Sequence, residues 1–148
     1  MKNKIMLVLF LGVFTLATCQ EKNHKSAPDV VKKTFQKMYP GEDDPDWHID
    51  ANGNYESNFK IKGIHYRADY SPDGNWIETE NSIDKKDLHK IIQKKIKKNY
   101  SEYEITEVER VEHHAKGIFY DVEFKQKGKN KDVEFNAEGE VLNAPKDE

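Results

Sequence analysis

Six histidines, many carboxylates and a single cysteine are the side chains of this chain best suited to metal binding or catalysis. His48 and His65 are expected to share one strand face with Asp50, Glu56 and Asp69. Imidazole and carboxylate groups on one face are suitable ligands for zinc or copper. These residues lack the local spacing of known metal motifs, so a plain polar surface is the competing interpretation. A metal or small-ligand carrier is kept as the alternative hypothesis, and no resident metal or cofactor is predicted.

Catalysis finds little support among the remaining motifs. The chain has no Gly-x-Ser-x-Gly sequence and no phosphate-binding glycine loop. None of its carboxylates can be paired as acid and base from the sequence. We therefore predict that the protein is not an enzyme. The 24 basic and 27 acidic residues give a net charge of −3, which argues against a nucleic-acid partner.

The start of the chain predicts export and lipid attachment. Lys2 and Lys4 precede an apolar run, 5–16, that is too short to span a membrane comfortably. The sequence 16–19, Leu-Ala-Thr-Cys, resembles the lipobox of bacterial lipoproteins, in which the cysteine carries the lipid. The alternative is an ordinary secretory signal with an incidental cysteine. We predict a signal peptide over 1–18, lipidation of Cys19 and a polar tether over 19–25. Because Gln20 follows the cysteine where an aspartate would favour the inner membrane, we expect a periplasmic protein anchored to the outer membrane.

An internal similarity organises the rest of the sequence. Residues 55–77 align without a gap on residues 120–142, and six positions are identical, two of them glycines. Because glycine marks turns, the match predicts two copies of one small β-meander. A helix with an apolar stripe precedes each copy, beginning near Ser26 in the first and near Asp84 in the second.

The expected strands are short and antiparallel. They span 47–51, 55–61, 64–71 and 76–77 in the first unit, and 103–114, 118–125, 131–136 and 141–142 in the second. We predict an α+β fold of two tandem helix-plus-four-stranded antiparallel meander repeats, with both helices on one face of a curved sheet. The expected boundaries are 26–81 for the first repeat, 82–143 for the second and 144–148 for a tail.

The alternation of apolar and polar residues along these strands predicts which side chains lie away from the helices. A two-residue turn at Asp73-Gly74 would pair Ser71 with Trp76 and place the indole on the polar face. Aromatic groups among polar residues on an open sheet are common anchors of binding surfaces. The competing interpretation is that Trp76 packs between the two units or against a loop. The predicted partner-binding residues are Arg67, Asp69, Trp76, Glu78, Phe119 and Val141.

The lipoprotein-type leader followed by two helix-plus-strand units resembles the PepSY-like (β-lactamase-inhibitor-like) family of periplasmic lipoproteins of Bacteroidetes. The resemblance covers about residues 26–142 and rests on the two helices and the two glycine-closed hairpins rather than on a strict motif. It implies a BLIP/PepSY-like α+β fold and binding of another protein on the open face of the sheet. It does not carry over the β-lactamase target, because this chain lacks the cysteines of the secreted inhibitors. The leading hypothesis is a non-enzymatic, lipid-anchored cell-envelope protein that binds a protein or peptide and possesses no catalytic residues.

Overall fold

The computed structural model describes residues 26–127 and 129–143, which form two helices and seven strands. The elements are α1 (Asp29–Met38), β1 (Asp46–Ile49), β2 (Tyr55–Ile61), β3 (Ile64–Tyr70), β4 (Trp76–Ser82), α2 (Lys90–Asn99), β5 (Glu104–His113), β6 (Gly117–Gln126) and β7 (Lys129–Asn136). The strands form one antiparallel sheet in the order β1-β2-β3-β4-β5-β6-β7. Each strand pairs with its neighbours along the chain, so the sheet is a simple meander. The predicted α+β class is therefore confirmed.

The first long hairpin, β2–β3, has the predicted register. Tyr55 pairs with Tyr70, Phe59 with Tyr66 and Ile61 with Ile64. Lys62 and Gly63 both have positive φ, at 51° and 83°. Positive φ at both central residues is the geometry of the two-residue turn that matches strand twist.

The apolar stripe of α1 packs on β1–β3. Val31 and Phe35 of the helix are buried against Trp47, Phe59 and Tyr70. The Phe35 ring meets the Phe59 and Trp47 rings edge-on, with centroids 5.1 and 5.5 Å apart. Edge-to-face contacts of this kind contribute about 0.5–1.5 kcal/mol beyond area burial. This aromatic cluster fixes α1 on one face of the sheet.

The second helix covers β5–β7 in the same manner. Ile92 and Ile96 of α2 are buried with Val122, Phe124 and Phe135 of the sheet. The helix starts later than predicted, because the Asp84 carboxylate accepts the Lys86 amide and caps a 3₁₀ turn, Lys85–Asp87. The α-helix itself then begins at Lys90.

The strand register shows that both helices lie on the same side. Tyr66, beside the α1 cluster, pairs with Asn81; Asn81 pairs with Arg110, and Arg110 with Tyr120 of the α2 cluster. Directly paired residues share a face of a sheet. The opposite face carries no helix within the described residues, and we call it the open face.

The connection between β3 and β4 differs from the predicted two-residue turn. The Ser71 amide donates to the Asn75 carbonyl and the Gly74 amide to the Ser71 carbonyl, which closes a three-residue loop. Tyr70 then pairs with Trp76. A bulge at residue 77 restores the expected register, because Asp69 still pairs with Glu78. The same two hydrogen bonds close the turn at 136–140.

The end of the second unit is shorter than predicted. Val141 forms an isolated bridge to Phe135, so the expected eighth strand is wrong, and three strands and a bridge follow α2. The repeat boundaries at 26–81 and 82–143 remain a prediction. The predicted signal peptide, the tether with Cys19 and the tail over 144–148 lie outside the described residues.

Candidate protein-binding face

An ion pair occupies the centre of the open face. Arg67 on β3 and Glu80 on β4 are directly paired, and Arg67 Nη2 lies 2.6 Å from Glu80 Oε2. Glu80 is only 8% exposed. Arg67 Nε also lies 3.9 Å from the carboxylate of Asp69, two residues farther along β3. One guanidinium therefore serves two carboxyl groups that are largely removed from water.

Two rows of carboxylates cross the sheet beside this pair. In one row Glu107 pairs with Glu123, and Glu123 pairs with Asp132. In the next row Glu109 pairs with Asp121, which pairs with Glu134 of β7. Side chains in direct cross-strand pairs have Cβ atoms about 4.5–5.5 Å apart, and like charges there are destabilising. Three strands thus hold six carboxylates in an arrangement that costs stability in the free protein.

Five of these six carboxylates, all except Glu134, line a depression that we call the acidic groove. It has a volume of about 250 Å³ and is lined by Arg67, Glu80, Glu107, Glu109, Asp121, Glu123, Asn130 and Asp132. A second cavity of about 280 Å³ shares Arg67, Glu107 and Glu109 and extends the depression past Asn58 and His65. The two cavities are therefore neighbours on the open face.

Burial and neighbouring negative charges raise the pKa values of four acids on the open face, Asp69, Glu80, Glu109 and Asp121. Burial raises the pKa of Glu80 to about 8 and that of Asp69 to about 7, and Arg67 offsets only part of each shift. Burial, followed by the charge of Glu107, raises the pKa of Glu109; burial, followed by Asp132 and Glu134, raises that of Asp121. These four acids therefore hold their protons more strongly than free carboxyl groups do, because Arg67 compensates them only in part.

A small apolar patch borders the groove. Val111 and Phe119 are directly paired on the open face, yet they are only 1% and 3% exposed. Lys116 Nζ lies 5.1 Å from the centre of the Phe119 ring and 3.6 Å from Glu134 Oε2. A cation over an aromatic face is attracted by the ring. Lys116 thus helps to cover the ring from the open side.

Four of the six predicted binding residues lie on the open face. Arg67, Asp69 and Glu78 are neighbours through the Asp69–Glu78 pair and the Arg67–Asp69 contact. Phe119 is on the predicted face, but its side chain is buried, whereas the sequence suggested an exposed binding anchor.

The predicted outward positions of Trp76 and Val141 are wrong. Trp76 pairs with Tyr70 and packs on the α1 cluster, where its Nε1 donates to Thr79 Oγ1 at 2.9 Å. Val141 bridges to Phe135, whose ring belongs to the α2 cluster, and stays 36% exposed. In both hairpins the three-residue loop adds one residue before the next strand, and this reverses the side of that residue.

The alternative metal constellation is not assembled. His48 pairs with Glu56, which pairs with Asp69, but His65 lies four residues from Asp69 along β3. At about 3.3 Å per residue this separates His65 from that row by roughly 13 Å. Asp50 instead accepts the amides of Asn52 and Asn54 in a turn. In the ranges 26–127 and 129–143, no three His, Cys, Asp or Glu residues are grouped so as to hold a metal ion.

Comparison with known families agrees with this architecture. Residues 52–143 match the family described as "Putative beta-lactamase-inhibitor-like, PepSY-like". The chain belongs to the PepSY-like family. The resemblance seen in the sequence is therefore confirmed over more than half of the chain. No curated protein matches the sequence.

Solved structures with the same fold come from species of Bacteroides. A DUF2874 family protein from Bacteroides ovatus is 21% identical, with a TM-score of 0.72 over 80% of this chain and 86% of that one. A "putative periplasmic" protein from Bacteroides eggerthii is 20% identical, with a TM-score of 0.73 over 80% and 87%. A BLIP-like protein from Bacteroides fragilis is 18% identical, with a TM-score of 0.69 over 81% and 86%. At these identities the likeness establishes the PepSY-like fold.

We did not predict the acidic groove of this PepSY-like protein from its sequence, although the spacing of the acidic residues is visible there. The six carboxylates occur as three pairs spaced i, i+2, namely Glu107 and Glu109, Asp121 and Glu123, and Asp132 and Glu134. This spacing puts both members of a pair on one strand face. The pairs are distant in the sequence, so their convergence requires the register of β5–β7, and β5 carries a bulge between Ile105 and Glu107.

Among the described residues, neither helix has the length and apolar character needed to cross a membrane.

Proposed function

We propose that this PepSY-like protein is a non-enzymatic, lipid-anchored protein of the cell envelope that binds a protein or peptide partner on its open face. The observation that carries the proposal is the one-sided cover of the sheet: α1 and α2 both pack on one face, and the open face carries two neighbouring cavities lined mainly by polar and charged groups. A partner that binds the open face would contact one side of a continuous seven-stranded sheet.

The family supports the same assignment. Its members are described as β-lactamase-inhibitor-like, and inhibitors act by binding a protein rather than by catalysis. The description of the Bacteroides eggerthii protein as periplasmic supports a location in the envelope. The leader sequence supports attachment through Cys19, and Gln20, which is not the aspartate that favours inner-membrane retention, is compatible with the outer membrane.

The open face supplies groups that fix a partner in place. Arg67, Asp69 and Glu78 offer charged contacts near the centre, and Val111 with Phe119 offers a packed apolar floor. Buried groups at the centre of an interface contribute most of the binding energy, whereas rim contacts contribute little. A partner that displaces Lys116 would gain access to the Phe119 ring.

Capture from envelope extract tests the proposal. The full-length protein in detergent is compared with Glu78→Trp/Asn130→Trp, which places two bulky rings on the open face. The control is Lys94→Trp/Lys98→Trp, which places the same rings on the exposed side of α2. We expect the open-face variant to lose the captured partner and the α2 variant to retain it. An unchanged set of partners with the open-face variant would contradict the proposal.

A further inference from the structure

The charges of this protein are segregated between its two sides. Lysines crowd the helices, with Lys32, Lys33 and Lys37 on α1 and five more on α2. Six of the eight residues that line the acidic groove are acids, and the one cation among them, Arg67, is already paired with Glu80. A net charge of −3 therefore conceals a strongly negative open face opposite a basic helical side.

The carboxylate rows have the shape of a binding site for an extended chain. The rows Glu107–Glu123–Asp132 and Glu109–Asp121–Glu134 are two residues apart on each strand and span three strands. Adjacent strands are about 4.8 Å apart, so each row is roughly 10 Å wide. Carboxylates distributed over this width can each meet a separate cationic side chain, whereas a single ion would need them to converge.

The like-charge pairs have no basic side chain between them among the residues that line the groove. Glu107 faces Glu123, and Glu123 faces Asp132, without a basic side chain lining the groove between them. Glu80 and Glu109 line the same groove, and the charge of Glu109 adds to the effect of burial in raising the pKa of Glu80. A guanidinium or ammonium group inserted between the rows would replace repulsion by charge-assisted hydrogen bonds. The open face is thus complementary to a basic surface.

We propose that the acidic groove receives an extended basic segment of the partner protein, whose Arg or Lys side chains pair with the two carboxylate rows. This inference rests on the proposed function, since it specifies the chemistry of the partner that binds the open face. Electrostatic complementarity of this kind raises association rates and restricts the choice of partner. Partners with acidic or neutral contact segments are disfavoured by the same field.

A labelled eight-residue peptide of alternating Gly and Arg is the direct probe, measured by fluorescence anisotropy with the full-length protein in non-ionic detergent. The test variant, Glu107→Gln/Asp121→Asn/Glu123→Gln, removes three charges from the groove. The control, Glu42→Gln/Asp43→Asn/Asp44→Asn, removes three charges from the acidic loop beside α1, which lines a separate cavity of about 560 Å³. Both variants have the same net charge, so long-range attraction is matched.

We expect the groove variant to weaken peptide binding by about tenfold or more and the loop variant by less than about twofold. Added salt should weaken binding to the unmodified protein and have little effect on the groove variant. The groove variant should melt no lower than the unmodified protein, because its amides relieve like-charge repulsion. Equal weakening in both variants, or no preference for the Arg peptide over a Gly-Ser peptide, would overturn the inference.

The failure of this inference is distinguishable from failure of the proposed function. If Glu78→Trp/Asn130→Trp abolishes capture of the envelope partner but the groove variant captures it with unchanged salt tolerance, the partner uses the open face without a basic segment. If neither variant changes the captured set, the open face is not the binding surface at all.

Discussion

Arg67 Nη2 lies 2.6 Å from Glu80 Oε2 on the open face, and together they connect the centre of the sheet to the acidic groove. Burial raises the pKa of Glu80 to about 8 even with the guanidinium in contact. The charge of Arg67 therefore offsets only part of the cost of burying the Glu80 carboxylate. The stability of the sheet consequently depends on the charge of the open face.

Replacement of Arg67 by Gln should destabilise the protein at pH 8, because it leaves the carboxylates of Glu80 and Asp69 without their cation. We expect a loss of about 1–2 kcal/mol in urea unfolding, at the low end for buried pairs because Arg67 is partly exposed. At pH 5 both acids are protonated in the folded state, and the loss should be smaller. The double variant Arg67→Gln/Glu80→Gln should recover part of the stability; a double variant as unstable as Arg67→Gln would contradict this.

The raised pKa values predict how stability depends on pH. Asp69 and Glu80 have ordinary values of 3.8 and 4.5 and folded values of about 7 and about 8. The folded state then binds more protons than the unfolded state between these limits, so stability falls as pH rises from 5 to 8. By linkage, these two shifts together correspond to a decrease on the order of 6 kcal/mol over this range.

Thermal unfolding across the same pH range, with Glu80→Gln as the comparison, measures this effect. The amide mimics the protonated acid, so the variant should show a flatter profile and should gain most at pH 8. A profile for Glu80→Gln as steep as that of the unmodified protein would assign the pH dependence to other groups.

Trp76 should behave as a core residue rather than a binding residue. Its ring packs on the α1 cluster, and its indole nitrogen donates to Thr79. Trp76→Ala should cost about 2–3 kcal/mol in unfolding free energy, and Trp76→Phe, which loses mainly the hydrogen bond, about 1 kcal/mol. Partner capture by folded Trp76→Phe should be unchanged. If Trp76→Phe lost the captured partner without any loss of stability, Trp76 would be a binding residue.

The two turn glycines provide a matched test of helix docking. Both have positive φ, at 82° for Gly74 and 77° for Gly139. A Cβ at Gly74 would lie 2.7 Å from Val30 Cγ2 and 3.0 Å from the Val30 carbonyl oxygen, whereas one at Gly139 would lie 3.4 Å from Ile91. Because the backbone strain is similar, the difference between the two Ala variants reports the contact with the helix.

We expect Gly139→Ala to cost about 1 kcal/mol and Gly74→Ala about 2–4 kcal/mol in unfolding free energy. Adding Val30→Ala to Gly74→Ala should restore only part of the loss, since the carbonyl contact remains. Equal losses of unfolding free energy for the two Ala variants would show that glycine is required by the turn conformation and not by the close approach of α1.

The register of β2–β3 is predictable from the sequence for a physical reason. Tyr55, Ser57, Phe59 and Ile61 alternate with polar residues, and a slip of one position would move them all to water. The Lys62-Gly63 turn then leaves one register, which the structure adopts.

The errors arise where local geometry adds a residue that hydrophobicity cannot detect. The three-residue loop after Ser71 and the bulge at residue 77 cancel each other within a few positions. Glu78 therefore lies on the face where the sequence placed it, whereas Trp76 changes face. The acidic groove could not be predicted, because it combines side chains from five strands, β3 to β7, and depends on the register of β5, which carries a bulge between Ile105 and Glu107.

Site-specific photo-crosslinking in intact cells tests the use of the open face most directly. A benzophenone side chain is placed at Asn130, on the open face beside the acidic groove, and in a second strain at Lys94, on the exposed side of α2. The account predicts a discrete crosslinked partner from position 130 and none from position 94. The same partner crosslinked from position 94, with none from position 130, would contradict it.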